Sequence, residues 1–167
     1  MRILFLGDVV GISGCSKLTS SLLSEIKSRK IDFVIANGEN AAAQGVGLTE
    51  EICKDFYNCG VNVITTGNHV WDQKEIMKYI EKEERLLRPK NLFEPAPGRG
   101  FQIFKTDKNI RVGVLNLMGN VFMKKCEDVF ETSKKFLSEY KLKDDYDLLV
   151  VDFHGEITSE KNAIGHF

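Results

Sequence analysis

A chain of 167 residues has single-domain length, enough to bury roughly 70% of the surface its unfolded form exposes. With 43% hydrophobic residues, 28% charged residues and a formal net charge of −1, it has an ordinary globular composition and lacks a broad basic surface for nucleic acid. The apolar run Ile3–Leu6 is too short for a signal peptide, and no later stretch approaches membrane-spanning length. Cys15, Cys53, Cys59 and Cys126 show no C-x-x-C spacing, which argues against a zinc knuckle or a thioredoxin motif. They are expected to be reduced, mostly buried thiols in a cytoplasmic protein.

Arg2–Gly7 is a short apolar run closed by glycine, which predicts a buried parallel strand, and Asp8 follows at its tip. A carboxylate there either caps or turns the chain, or has a partner that offsets its desolvation. Ser13–Ser28 repeats Leu18, Leu22, Leu23 and Ile26 at helical spacing, with Ser13 or Ser16 as the expected N-cap. Ile31–Ala36 predicts a second buried strand, ending in Asn37-Gly38-Glu39-Asn40. Thr49 with Glu50 and Glu51 starts a helix that runs to Asn58, and Gly60 is its C′ residue.

Val61–Thr66 is a third apolar, β-branched strand. Beyond Gly67, Asn68 and His69 stand side by side, either as a turn and a helix cap or as a metal ligand beside a proton-transfer group. Gln73–Arg85 is read as a charged amphipathic helix. Residues 88–100 hold all three prolines and predict a loop whose arginines lie on the surface. Gly100–Thr106 and Ile110–Leu117 predict a β-hairpin. The apolar patch Val121-Phe122-Met123 is expected in the core, with a lid or a subunit contact as the alternatives. Asp128–Tyr140 predicts a helix and Asp147–Val151 a strand that delivers His154 just past its end. A last helix begins near Ser159, with His166 an incidental surface residue.

Four strand tips thus carry Asp8, Glu39 with Asn40, Asn68 with His69, and His154. In an α/β fold, parallel connections bring successive tips to one edge of a sheet. Such an edge would hold a mixed oxygen and nitrogen donor set suited to iron, manganese or zinc. Two cations there can hold the attacking and leaving oxygens of a phosphoryl transfer, with His69 as general acid. No P-loop and no Ser-His-Asp order occurs.

G-D-V-V-G (7–11), N-G-E-N (37–40), T-G-N-H-V-W-D (66–72) and D-F-H-G-E-x-T-S-E-K (152–161) together resemble the calcineurin-like metallophosphoesterases. Among these, the likeness is to the bacterial YmdB-like subfamily of cyclic-nucleotide phosphodiesterases. The resemblance covers the whole chain and implies an αββα sandwich with a dinuclear iron or manganese centre. It assigns Asp8 to the first metal, Glu39 to a bridge between the two, and Asn40 to the same metal-binding group. Asn68 and His154 are assigned to the second metal and His69 to proton donation. The implied substrates are 2′,3′-cyclic nucleotides or related phosphodiesters.

The chain departs from that pattern in one respect. The family carries a later G-x-H-x-H segment, and Phe167 precedes any such segment. The expectation is therefore one incomplete domain over residues 1–167 that lacks the C-terminal part of the sandwich. The chain is then a fragment of a longer gene product, or a partner chain supplies the remainder, or the protein has decayed; a homo-oligomer is a separate expectation. Two alternatives stand beside the enzyme: a truncated, non-catalytic relic or regulatory module that keeps the fold, and a phosphoacceptor domain using Asp8. The latter wants paired acids at the first tip and a lysine at the last, which the sequence does not clearly offer.

Overall fold

The apolar, β-branched runs assemble into two sheets in the computed structural model, which describes every residue from Met1 to Phe167. In the first sheet, β1 (Ile3–Leu6), β2 (Phe33–Asn37), β3 (Val63–Thr65) and β4 (Leu86–Leu87) lie side by side in that order, all parallel. The second holds β5 (Phe101–Lys105), β6 (Arg111–Met118) and β7 (Leu148–His154). There β5 runs antiparallel to β6, and β6 parallel to β7.

Helices α1 (Gly11–Arg29), α2 (Glu50–Asn58) and α3 (Ile76–Ile80) pack on the outer face of the first sheet. On the second sheet, α4 (Val129–Glu139) and α5 (Thr158–His166) do the same. The result is the expected αββα sandwich. No helix is long and apolar enough to cross a membrane.

Strand alternation decides which residue meets which layer. Along β2, Val34 and Ala36 face the helices with Leu18, Leu22 and Phe56. Phe33 and Ile35 face the second sheet, where they meet Val112, Val114, Leu148 and Val150. Continued by one or two steps of two residues, these inward faces reach Asn37 on β2, Asn116 on β6, and Asp152 and His154 on β7. The dry interior therefore turns polar at the carboxyl ends of the strands.

That polar end is hydrogen-bonded. Asn37 Nδ2 donates to Asp152 Oδ2 at 3.0 Å. The Thr66 amide donates to Asn116 Oδ1 at 3.0 Å, and Asn116 Nδ2 donates to the Asp152 carbonyl at 3.3 Å. An unpaired buried group of this kind would cost about 1–3 kcal/mol, so these rungs fix how the sheets meet.

Several elements differ from expectation. Helix α1 begins at Gly11 with Val10 at the cap and no side-chain cap. The Gly11 amide instead donates to the Asn40 carbonyl at 2.8 Å, so a tertiary contact stands in for a serine cap. The helix expected over Gln73–Arg85 shrinks to Ile76–Ile80. In its first turn the amides of Met77 and Lys78 bond carbonyls only three residues back. Beyond it, Leu86 and Leu87 enter the sheet beside Ile64 and Thr65. Tertiary pairing has overridden helical periodicity there.

Arg88 is not a surface arginine. It is 4% exposed, its guanidinium donates to the carbonyls of Pro89, Lys90, Ala96 and Pro97, and it pairs with Glu94. It straps the proline loop together. The patch Val121-Phe122-Met123 does not enter the core either, for Phe122 is 85% exposed.

Other expectations match. Gly60 adopts φ +104° just past α2, where a side chain would meet Ile26. All four cysteines are free thiols, three of them buried. His166 is exposed.

Candidate active site

Each strand tip delivers its polar residue to the same rim. Asp8 follows β1, Glu39 and Asn40 follow β2, Asn68 and His69 follow β3, and His154 is the last residue of β7. Asn40 Nδ2 donates to both oxygens of Asp8, at 3.2 and 3.0 Å, and lies 3.4 Å from Glu39 Oε1. From the other sheet, His154 places Nδ1 2.9 Å from Glu39 Oε2 and Nε2 2.7 Å from Asn68 Oδ1. An unbroken chain of contacts therefore runs Asp8, Asn40, Glu39, His154, Asn68. His69 lies at this rim but bonds elsewhere.

Glu39 is 1% exposed. The His154 Nδ1 contact is an ion-pair approach without hydrogen-bond geometry, so Oε2 is buried with no donor; Asn40 Oδ1 is orphaned in the same way. Burial pulls the His154 pKa down, but the adjoining Glu39 carboxylate outweighs it, with Asp152 and Asp8 adding to the upward push. No three of the histidine, cysteine, aspartate and glutamate side chains alone form a group able to hold a metal ion. The gathering depends on the carboxamides of Asn40 and Asn68 as well.

Gly67 makes the approach of the two sheets possible. A Cβ there would sit 1.5 Å from Glu39 Oε2 and 2.6 Å from the His154 ring. Only a residue without a side chain lets the β3 loop pass between a carboxylate on one sheet and an imidazole on the other.

His69 Nδ1 donates to Asp72 Oδ2 at 2.6 Å. This bond is the leading cause of the lowered Asp72 pKa, and Lys124 adds to it. Holding the proton on Nδ1 leaves Nε2 as the ring's second functional nitrogen. Lys124 Nζ donates to the Asn68 carbonyl at 2.8 Å and stands 3.6 Å from Asp72 Oδ1. It thereby ties the 119–128 loop to the loop after β3.

Asp72 and Lys124 are site residues that the sequence reading passed over, as are Asn116 and Asp152. Asp72 lay within the T-G-N-H-V-W-D motif, three residues after His69, a spacing that lets the two side chains meet on one turn. Lys124 carried no local signal. Glu160 was also missed: it is buried in α5, and its carboxylate accepts from the amides of Asn120 at 2.7 Å and Val121 at 3.4 Å.

Comparison with known proteins agrees with this architecture. The chain is 40% identical over 168 residues to the 2′,3′-cyclic-nucleotide 2′-phosphodiesterase of Bacillus subtilis (strain 168), and the match covers 100% of this chain and 62% of that protein. The chain thus spans less than two thirds of that relative's length. A crystal structure of a hypothetical protein from Thermus thermophilus superposes with a TM-score of 0.90 at 37% identity, covering 99% of this chain and 62% of that one. A novel phosphatase from Mycoplasma pneumoniae gives a TM-score of 0.88 at 34% identity, covering 99% of this chain and 59% of that one. The family model described as YmdB-like protein matches residues 4–167, and the chain belongs to that family.

Proposed function

We propose that this chain carries most of the active site of a metal-dependent phosphodiesterase acting on 2′,3′-cyclic nucleotides or related phosphodiesters. The name of the Bacillus subtilis relative supports the substrate class. The observation that carries the reading is the continuous contact chain from Asp8 through Glu39 and His154 to Asn68, drawn from both sheets.

The residues present fit a cation. Glu39 Oε2 and Asn40 Oδ1 are buried oxygens without donors, and such atoms are stabilised by a positive partner. On this reading Asp8 would hold one metal, Glu39 would be shared between the two, Asn40 would stand with them, and Asn68 and His154 would hold the second. Iron and manganese suit such mixed oxygen and nitrogen ligands. When bound, they would supply charge neutralisation and an activated water. With Asp72 accepting from Nδ1–H, a doubly protonated His69 would give its Nε2 proton to the leaving oxygen and be left as the neutral ring. Four free thiols support a cytoplasmic setting.

A second reading is a non-catalytic module that keeps the fold. It is favoured by the lack of any three titratable side chains able to hold a metal on their own. Elemental analysis of the 167-residue chain loaded with manganese or iron separates the two readings, combined with turnover of bis(p-nitrophenyl) phosphate and of 2′,3′-cyclic AMP. The enzyme reading expects bound metal and turnover, both lost in Asp8→Ala and Asn68→Ala. Sub-stoichiometric metal with no turnover above a metal-only control would overturn it.

A further inference from the structure

A groove of about 330 Å³ opens next to the contact chain. Asn68 belongs to both. The remaining lining is largely apolar and includes Trp71 and Phe93, and its only charged residues are Lys124 and Lys125. No carboxylate lines it, although the protein as a whole has a net charge of −1. Phe93 is 48% exposed and Trp71 half-buried, so both rings are accessible to a ligand. Lys124 is fixed in place by the Asn68 carbonyl and Asp72.

We propose, building on the phosphodiesterase reading, that this groove receives the nucleoside part of the substrate. Aromatic rings offer a face to any nucleobase, whose own π-face stacks without regard to sequence. Lys125, with Lys124 beside it on its Asp72 partner, complements an anionic ligand and disfavours a cationic one. The volume lies at the lower end for small-molecule sites, which suits one nucleoside rather than an oligonucleotide. Because Asn68 is shared, a base seated between Trp71 and Phe93 places its phosphate toward the carboxylate and carboxamide cluster. Trp71 and Phe93 are then specificity-determining residues, and Lys125 senses the phosphate charge.

Trp71 is the only tryptophan, so its emission reports on the groove directly. The 167-residue chain is titrated with adenosine 3′-monophosphate, adenosine and ribose 5-phosphate. Saturable quenching by the first two and none by the third is the expected result. Phe93→Ala should raise the dissociation constant about tenfold, while Phe93→Tyr preserves it. Lys125→Ala should weaken the monophosphate but not adenosine. Absence of saturable quenching, equal quenching by ribose 5-phosphate, or a Phe93→Ala variant that is folded by circular dichroism and binds unchanged would overturn the assignment. So would Trp71 emission that follows protein concentration alone, which marks a second copy as the occupant. Metal content and bis(p-nitrophenyl) phosphate turnover read the neighbouring cluster independently. If both fail while adenosine binds, the phosphodiesterase reading falls and the nucleoside groove is upheld. If both succeed while nucleosides do not bind, the groove assignment falls alone.

Discussion

His154 Nδ1 stands 2.9 Å from Glu39 Oε2, and the two residues belong to different sheets. The contact exists because Gly67 leaves the gap between them open. Gly67→Ala should therefore destabilise the fold by about 1–3 kcal/mol, as overpacking of a close contact does, and displace the Glu39 carboxylate. Gly7→Ala, with nothing within 4 Å of the added carbon, should stay within about 0.5 kcal/mol of the parent. Urea midpoints of the two variants test this; equal midpoints would show that the gap is not tight.

Glu160 holds the amides of Asn120 and Val121 from α5. In Glu160→Ala both donors lose their partner, at a cost of about 1–3 kcal/mol. Amide exchange at Asn120 and Val121 should quicken more than exchange in β6. Glu160→Gln keeps one acceptor oxygen and should fall between the two. Unchanged exchange in Glu160→Ala would show that the loop is held by other contacts.

The Asp147 carboxyl is brought down to about 2 by its hydrogen bonds from the Arg111 side chain and amide. Its unfolded value is near 3.9, so the folded state favours the charged form. The stabilisation is fully present above about pH 4 and disappears as the pH falls toward 2. Asp147→Asn should lower stability at neutral pH and flatten its pH dependence between 4 and 2. Urea midpoints measured across that range test the sign; a parent curve already flat there would refute it.

His69, if it protonates the leaving group, should matter in proportion to how poor that group is. His69→Ala is expected to slow a cyclic nucleotide by about 100- to 10,000-fold and a p-nitrophenolate ester far less, with metal content unchanged. Asp72→Asn should lower kcat on the cyclic nucleotide with little change in KM, because it alters the orientation of the ring rather than substrate contact. Equal losses on both leaving groups would remove His69 from that role.

The sequence made the layers and the rim legible, and it did so through period-two strands. Phe33 and Ile35 against Val34 and Ala36 already separate inward from outward faces. The tips at Asp8, Glu39, Asn68 and His154 follow from parallel connections, and the structure gathers those residues. What it could not show were features settled by distant partners. The charges of Gln73–Arg85 suggested a long helix, yet Leu86 and Leu87 gain more by pairing with β3. Arg88 looked exposed because nothing local reveals that four loop carbonyls will converge on it. Lys124 reaches Asn68 across 56 residues of chain, with no periodic signature.

The rungs that join the two sheets at their carboxyl ends, from Asn37 to Asp152 and from Thr66 to Asn116, sit beside the residues proposed to do the chemistry. Parting the two layers would therefore also disperse the proposed site. A cation spanning both sheets would act as a rivet, raising the melting temperature of the whole sandwich and not merely of the loops that touch it.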